Sequence, residues 1–467
     1  MTDAPLPDRP FDVPAFARQF QEFLTWVHSP DNGVRGDSVT GRLLAHLGLT
    51  GGDQERPPVV TRELPPFEQV NLQIALEAWA GDRTAEVLGW SVPLHHQSPD
   101  LGQLLSGEGL PHLRPTAPEL ADLPSGPGRT TAVWRTVALL VEDDRGRYVL
   151  TARGPERHHE PTLTVEVAGL PTGSAQQVLA ELDALRSAHN VYRGQVLELQ
   201  QGMTGMTVAF PVLPPTRRSD VVLPEAVLAR VERHSIGIAQ QREALRAAGQ
   251  HLKRGLLLYG PPGTGKTHTT RYVLQNVPGA TVLLLSGRSL HLVGAVTALA
   301  RELEPAVVVL EDVDLVAEDR DHGHGSQPVL FELLDAMDGA AGDADLLFLL
   351  TTNRAEALEH ALAARPGRVD VAVEIGLPDA DARRRLLEVY SAGTGLQVEP
   401  ADVEAVVAAT AGVTASFIKE LVRRTVLESL LEHADVVGGV HLRRALADLL
   451  DSTQGVTRAL LGAPSAG

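Results

Sequence analysis

The 467-residue chain contains no cysteine. That absence excludes disulfide frameworks, thiolate nucleophiles and zinc sites of the cysteine type. Lysine is nearly missing too: of 41 basic residues only Lys253, Lys266 and Lys419 are lysines, and all the others are arginine. A lysine kept in such a chain marks a place where a planar guanidinium is a poor substitute for a compact ammonium. No run approaches the ~18 apolar residues of a membrane-spanning helix. The opening MTDAPLPDRP also has neither the basic nor the apolar stretch of a leader. These absences predict a soluble, cytoplasmic protein with no membrane partner. Acidic residues outnumber basic ones, 59 to 41, for a formal charge of −18. That balance argues against nucleic acid as the general partner, because neutralising phosphates needs clustered Lys and Arg.

What is present supports folded domains. Hydrophobic residues make up 43% of the chain, and at ~150 residues per domain the length predicts two to four domains. Sixteen of the 32 prolines fall in the first 127 residues, and the four tryptophans (Trp26, Trp79, Trp90, Trp134) all precede residue 135. The two halves are therefore different kinds of structure.

In the first half, Phe16, Phe20, Phe23 and Val27 stand at helical spacing, as do Phe67, Val70, Ile74 and Trp79 after Pro65-Pro66. Both stripes predict helices with a core-facing side. The Pro/Gly-punctuated stretch from His112 to Thr130 reads as a linker. Strand-like runs at Val133 to Val141 and Arg147 to Ala152 flank a polar turn, and Leu163 to Val167 follows. A helix over Ala175 to Leu185 and strands over Val196 to Leu199 and Thr207 to Val212 complete a small α+β unit. PVLPPTRRSD, ending at Asp220, reads as a second linker.

The chemistry begins after Gly255. Leu256 to Tyr259 reads as a buried parallel strand, and Gly260-Pro261-Pro262-Gly263-Thr264-Gly265-Lys266-Thr267 follows directly, running on from His268 into a helix-compatible segment. This fits the phosphate-binding loop G-x-x-x-x-G-K-[ST]. Its glycines let backbone N–H groups wrap a phosphate, and the helix that follows adds its dipole. Lys266 then bridges the β- and γ-phosphates, while Thr267 offers its hydroxyl to Mg²⁺.

A second apolar strand, Ala306 to Leu310, ends in Glu311-Asp312-Val313-Asp314. Carboxylates at the C-terminal edge of a parallel sheet sit where open α/β folds bind ligands. One of the first pair can hold hydrated Mg²⁺ and the next can orient the attacking water. A third strand, Leu346 to Leu350, leads to Thr351-Thr352-Asn353-Arg354, whose amide could hold the lytic water. Then Arg365-Pro366-Gly367-Arg368 displays two cations around a rigid turn.

In this order and at this spacing the set resembles the AAA ATPase family over roughly Leu223 to Leu450. The resemblance implies an α/β fold: a P-loop NTPase parallel sheet with helices on both faces and a small helical lid, here preceded by an α+β N-terminal region. It implies ATP and Mg²⁺ as cofactors. Gly260 to His268 and the adenine-contacting segment Ile236-Gly237 would bind nucleotide, and Gly412 to Ser416 resembles the lid turn near the base. Thr267 and Glu311 would hold the metal. Asp312 would polarise water, Asn353 would be sensor 1, and Arg365 and Arg368 would be arginine fingers reaching into the next subunit of a homo-hexameric ring. His291-Leu292-Val293-Gly294 stands where many members carry an aromatic pore loop.

The boundaries expected are a mainly helical region over 1–112, the α+β unit over 131–213, the ATPase core over 222–380, the lid over 381–455 and a flexible tail over 456–467. The function implied is ATP hydrolysis coupled to remodelling of an unknown protein client. An ATP-gated binding scaffold with incidental turnover stands beside it, as does a DNA-acting motor, for which Arg423 and Arg424 are the cations available.

Overall fold

The computed structural model describes residues 16, 18–22, 38–49, 56–81, 83–92, 98–106, 113–155, 162–202, 205–314, 344–354 and 369–451. Two units are present, one of Met1–Ser125, Arg129–Val191 and Gln201–Thr207, the other of Gly126–Gly128, Tyr192–Gln200 and Val208–Gly467.

The N-terminal unit is built on strands β1 (Val59–Leu64), β2 (Thr84–Leu88), β3 (Leu120–Gly126), β4 (Arg129–Trp134), β5 (Thr136–Asp143), β6 (Gly146–Arg153) and β7 (Leu163–Ala168). Five of them form an antiparallel sheet in the order β1-β7-β6-β5-β2, and β3 pairs with β4 alone. Alternating side chains leave a strand on opposite faces, and here both faces are covered. Val137, Leu139 and Val141 meet Leu72, Leu76 and Trp79 of the helix Gln69–Gly81 and Val178, Leu179 and Leu182 of the helix Thr172–Ala188. Ala138 and Leu140 instead meet Val39 and Leu43 of the helix Val39–His46 and Leu101, Leu104 and Leu105 of the helix Leu101–Ser106. Burial of each such valine or leucine side chain contributes about 1.5–3 kcal/mol.

The first half therefore departs from its sequence reading in three places. β1 and β2 lie inside the region expected to be mainly helical and pair into the same sheet as β5, β6 and β7. The stretch read as a linker holds β3 and the start of β4; Pro124 is tolerated there because the two-stranded ribbon leaves one side of each strand without a ladder partner. Phe16 and Phe20 stack on each other with centroids 5.7 Å apart but are 50% and 48% exposed, so the described part of that stripe is not core. Phe23 and Val27 lie outside the described residues.

The second unit carries β8 (Val196–Gly202), β9 (Gly205–Ala209), β10 (Arg254–Tyr259), β11 (Thr281–Ser286), β12 (Ala306–Glu311), β13 (Leu346–Thr352) and β14 (Val371–Glu374), ordered β14-β10-β13-β12-β11-β8-β9. β10 runs parallel to β13 and β14, β12 to β11 and β13, and β11 to β8. β8 thus extends the second unit's sheet and does not join the α+β unit expected over 131–213. The strands read as unbroken apolar runs because helices cover both faces. Leu256, Leu258, Val307, Val309, Leu347 and Leu349 pack with Leu228, Val231, Tyr272 and Val273. Their neighbours Val308, Leu310, Phe348 and Leu350 are equally buried, and the helix Val293–Glu302 packs on β11 and β12. That helix takes in Val293, fully buried, from the segment His291 to Gly294.

The helices Ala380–Ser391, Pro400–Ala409, Ala415–Leu431 and Gly439–Leu450, with the short pair β15 (Leu396–Gln397) and β16 (Val437–Gly438), form the lid around Phe417, Ile418, Leu421 and Leu442. Arg423 pairs with Glu420, and Arg424 with Glu420 and Asp448. Among the described residues no helix is long and apolar enough to cross a membrane.

Candidate active site

Parallel register brings the site together. Tyr259 pairs with Thr352, and Leu310 with Leu350, so Gly260, Glu311, Asp312 and Asn353 emerge side by side at the C-terminal edge of the sheet. The helix Lys266–Asn276 starts directly after the loop.

The loop needs its glycines for two different reasons. Gly260 has φ +146, and a Cβ there would lie 2.2 Å from the carbonyl oxygen of Ile375. Gly263 has φ +80 and faces Ser416 Oγ of the lid at 2.9 Å from the place a Cβ would occupy. Its carbonyl also accepts from Ser416 N at 3.0 Å, which ties the lid turn to the loop. Gly265, with φ +109, has open space on that side. Gly260→Ala combines a forbidden φ with a backbone overlap and is expected to cost about 2–4 kcal/mol. Urea unfolding of the variant beside the parent measures that loss; equal stability would contradict the close approach to Ile375.

Lys266 is 6% exposed. Its Nζ donates to Gly260 O at 2.8 Å, Pro261 O at 2.9 Å and Asn353 Oδ1 at 2.7 Å. Burial lowers its pKa, and the carboxylates of Asp312 and Asp314 oppose that shift. Thr264 Oγ1 also donates to Pro261 O at 2.9 Å and braces the loop from inside. Thr269 N–H makes the helix's first turn bond, to Gly265 O at 2.9 Å. The N–H groups of Gly265, Lys266, Thr267 and His268 precede it and have no acceptor within the helix.

Asn353 links the two sides of the site. Its Oδ1 faces Lys266, and its Nδ2 donates to Asp312 Oδ1 at 3.2 Å. Asp312 has φ +51, a left-handed turn that ends β12. Such a conformation costs a non-glycine residue about 1–3 kcal/mol and is concentrated at functional sites. The turn is fixed by Thr351, whose Oγ1 accepts from Asp312 N and whose carbonyl accepts from Val313 N, both at 3.0 Å. Glu311 is hydrogen-bonded by Thr267; burial and then Asp312 push its pKa up, against the pull of Arg271 and that hydrogen bond.

Of the remaining expected residues, Pro261, Pro262, Thr267 and His268 are exposed along the loop and first turn. The His268 ring lies 3.2 Å from Asp220 O, beside the segment Pro214 to Asp220, which also bonds through Thr216 N to Gln275 Oε1 at 2.7 Å. That second linker runs along the loop helix. Ile236 and Gly237 lie in a π turn, Arg233–Gly237, with Ile236 packed into the core. Arg365 and Arg368 lie outside the described residues. Asp314 and Arg271 were given no role by the sequence reading. Asp314 was readable as the third acid of the run Glu311-Asp312-Val313-Asp314, and Arg271 as the residue one helical turn beyond Thr267.

The residues fit a nucleotide and its metal. Four N–H groups at a helix start and a buried ammonium suit phosphate oxygens, and a hydroxyl hydrogen-bonded to a carboxylate suits a hydrated Mg²⁺. Sheet order, loop and lid define a P-loop nucleotide-binding domain. More particularly, the family described as AAA, ATPase family associated with various cellular activities, matches residues 256–377. Residues 256–377 thus match an AAA ATPase domain, a type of domain that uses ATP with Mg²⁺.

Among its relatives, the proteasome-activating nucleotidase of Methanothermobacter thermautotrophicus is 29% identical over 223 residues, 45% of this chain and 52% of that protein. The cell division cycle protein 48 homolog of Archaeoglobus fulgidus is 30% identical over 198 residues, 40% of this chain and 27% of that protein. The ATP-dependent zinc metalloprotease FtsH of Mycobacterium tuberculosis is 30% identical over 221 residues, 44% of this chain and 29% of that protein. The match spans about half or less of each relative's length. The crystal structure of the FIGL-1 AAA domain aligns with a TM-score of 0.43 at 23% identity, over 52% of this chain and 87% of that one.

Proposed function

We propose that this chain is a Mg²⁺-dependent ATPase that assembles into a homo-hexameric ring and uses the cycle to remodel a protein client. The observation that carries the ATPase reading is the chain Lys266–Asn353–Asp312, closed by hydrogen bonds of 2.7 and 3.2 Å beside the Thr267–Glu311 pair. In this reading the N–H groups of the loop and Lys266 bind the phosphates, with Ile236 and Gly237 at the base. Thr267 and Glu311 hold the metal, which neutralises charge on the phosphate oxygens when bound. Asp312 accepts a proton from the attacking water, and Asn353 holds that water in line. Arg365 and Arg368 act on the neighbouring subunit's γ-phosphate. A protein client is supported by the relatives, one named as proteasome-activating and another as a protease.

The test of turnover and coupling is phosphate release with and without a denatured model protein, next to light scattering of the chain with and without ATP. Stimulated release and an ATP-dependent ring are expected. ATP turnover by a monomer indifferent to added protein would overturn the ring and the client together.

A further inference from the structure

We propose that Asp314 is a positioning residue that aims the Asn353 amide. This rests on the ATPase reading above and assigns a part to the one carboxylate of the site that has none.

Asp314 is 5% exposed. A carboxylate so buried is costly unless its oxygens accept hydrogen bonds. Asp314 Oδ1 accepts two, from Thr352 Oγ1 at 3.1 Å and from the backbone N–H of Asn353 at 3.2 Å. Thr352 Oγ1 in turn accepts from Arg354 N at 3.0 Å, so the backbone on both sides of Asn353 is pinned through one threonine and one aspartate.

The left-handed turn at Asp312 makes this reach possible. It sends the chain back over the end of β13, where Val313 bonds to Thr351 and sits 4% exposed. Asp314 is thereby delivered to the residue whose side chain spans Lys266 and Asp312. With its backbone held by Asp314 and its two side-chain ends hydrogen-bonded to Lys266 and Asp312, the amide presents Oδ1 and Nδ2 in one direction. Without the anchor, Asn353 keeps its contacts but loses its aim, and a misplacement of about 1 Å at a reacting centre can cost ~10²-fold in rate.

Asp314 touches neither phosphate nor water in this scheme; it acts through Asn353. Its substitution should therefore change kcat and leave ATP binding alone. Asp314→Ala is expected to lower kcat about 30-fold with KM for ATP within about threefold. Asp314→Asn keeps an oxygen acceptor in the same place and is expected to stay within about threefold of the parent. On an Asn353→Ala background Asp314→Ala should add less than about a twofold loss, because residues acting as one unit are not additive.

The experiment is steady-state phosphate release, with binding of a fluorescent ATP analogue, for the parent, the three single variants and the double variant. Parental kcat in Asp314→Ala, a loss in Asp314→Asn as large as in Asp314→Ala, or a full second loss on the Asn353→Ala background would each overturn the proposal. If Asp314→Ala does not fold, Thr352→Val takes its place: a kcat loss of about threefold that vanishes on the Asn353→Ala background supports the anchor, and an unchanged or additive kcat overturns it. Absence of phosphate release by the parent would instead strike the ATPase reading itself.

Discussion

Asp312→Asn is expected to bind ATP as the parent does and to hydrolyse it about 10²–10⁴-fold more slowly, the range over which a positioned general base acts. The amide is isosteric with the carboxylate, so the left-handed turn at residue 312 and the bond that its N–H donates to Thr351 Oγ1 are retained. Its oxygen still accepts from Asn353 Nδ2, the partner now 3.2 Å from Asp312 Oδ1. Phosphate binding, carried by the loop and Lys266, is untouched. Only the capacity to take a proton from water is lost.

Glu311→Gln makes the contrast. Glu311 faces Thr267 instead of Asn353, so its loss should raise the Mg²⁺ concentration needed for half-maximal activity, with a smaller effect at saturating metal. Phosphate release titrated with Mg²⁺ separates the two variants. Hydrolysis at the parental rate by Asp312→Asn would show that the two acids have been given each other's parts.

Lys266→Ala is expected to lose binding and turnover together, with ATP affinity down by at least about 100-fold. A buried cation meeting phosphate oxygens makes charge-assisted hydrogen bonds that water does not replace. The same substitution should do little to the fold. Burial already lowers the Lys266 pKa, so the ammonium stands in its site at a desolvation cost, and its three partners there are two backbone carbonyls and one amide. Releasing a desolvated charge offsets part of the cost of the three acceptors it leaves, which the opened loop exposes to water, so the net loss should stay within about 1–2 kcal/mol. A variant that stays folded but no longer binds a fluorescent ATP analogue fits this account. One that unfolds would give Lys266 a structural part instead.

The sequence made the nucleotide half legible because its chemistry is local. Eight consecutive residues from Gly260 to Thr267 form one loop, and three apolar strands each end in the residues that matter, so parallel register alone assembles them. The low lysine content pointed the same way, since one of three lysines is the buried ammonium at Lys266. Tertiary facts were not legible. That Thr352 and Asp314 hold Asn353 depends on a left-handed residue at 312, and no periodicity announces a positive φ in aspartate. In the first half β1 and β2 are short and buried in part by partners far along the chain, so their pattern did not stand out from the helices around them. β8 was legible as a strand but not as a member of the sheet that it joins, because its pairing with β11, far along the chain at Val282 to Leu284, is decided by packing and not by local pattern.

The central claim is that the residues gathered at the sheet edge form a working ATPase site. The most direct test is phosphate release from ATP by the purified parent chain, with Mg²⁺ and with excess EDTA, beside Lys266→Ala under the same conditions. The account predicts release by the parent that EDTA abolishes and that Lys266→Ala lacks. Release that persists in Lys266→Ala at the parental rate, or no release by the parent in Mg²⁺, would contradict it.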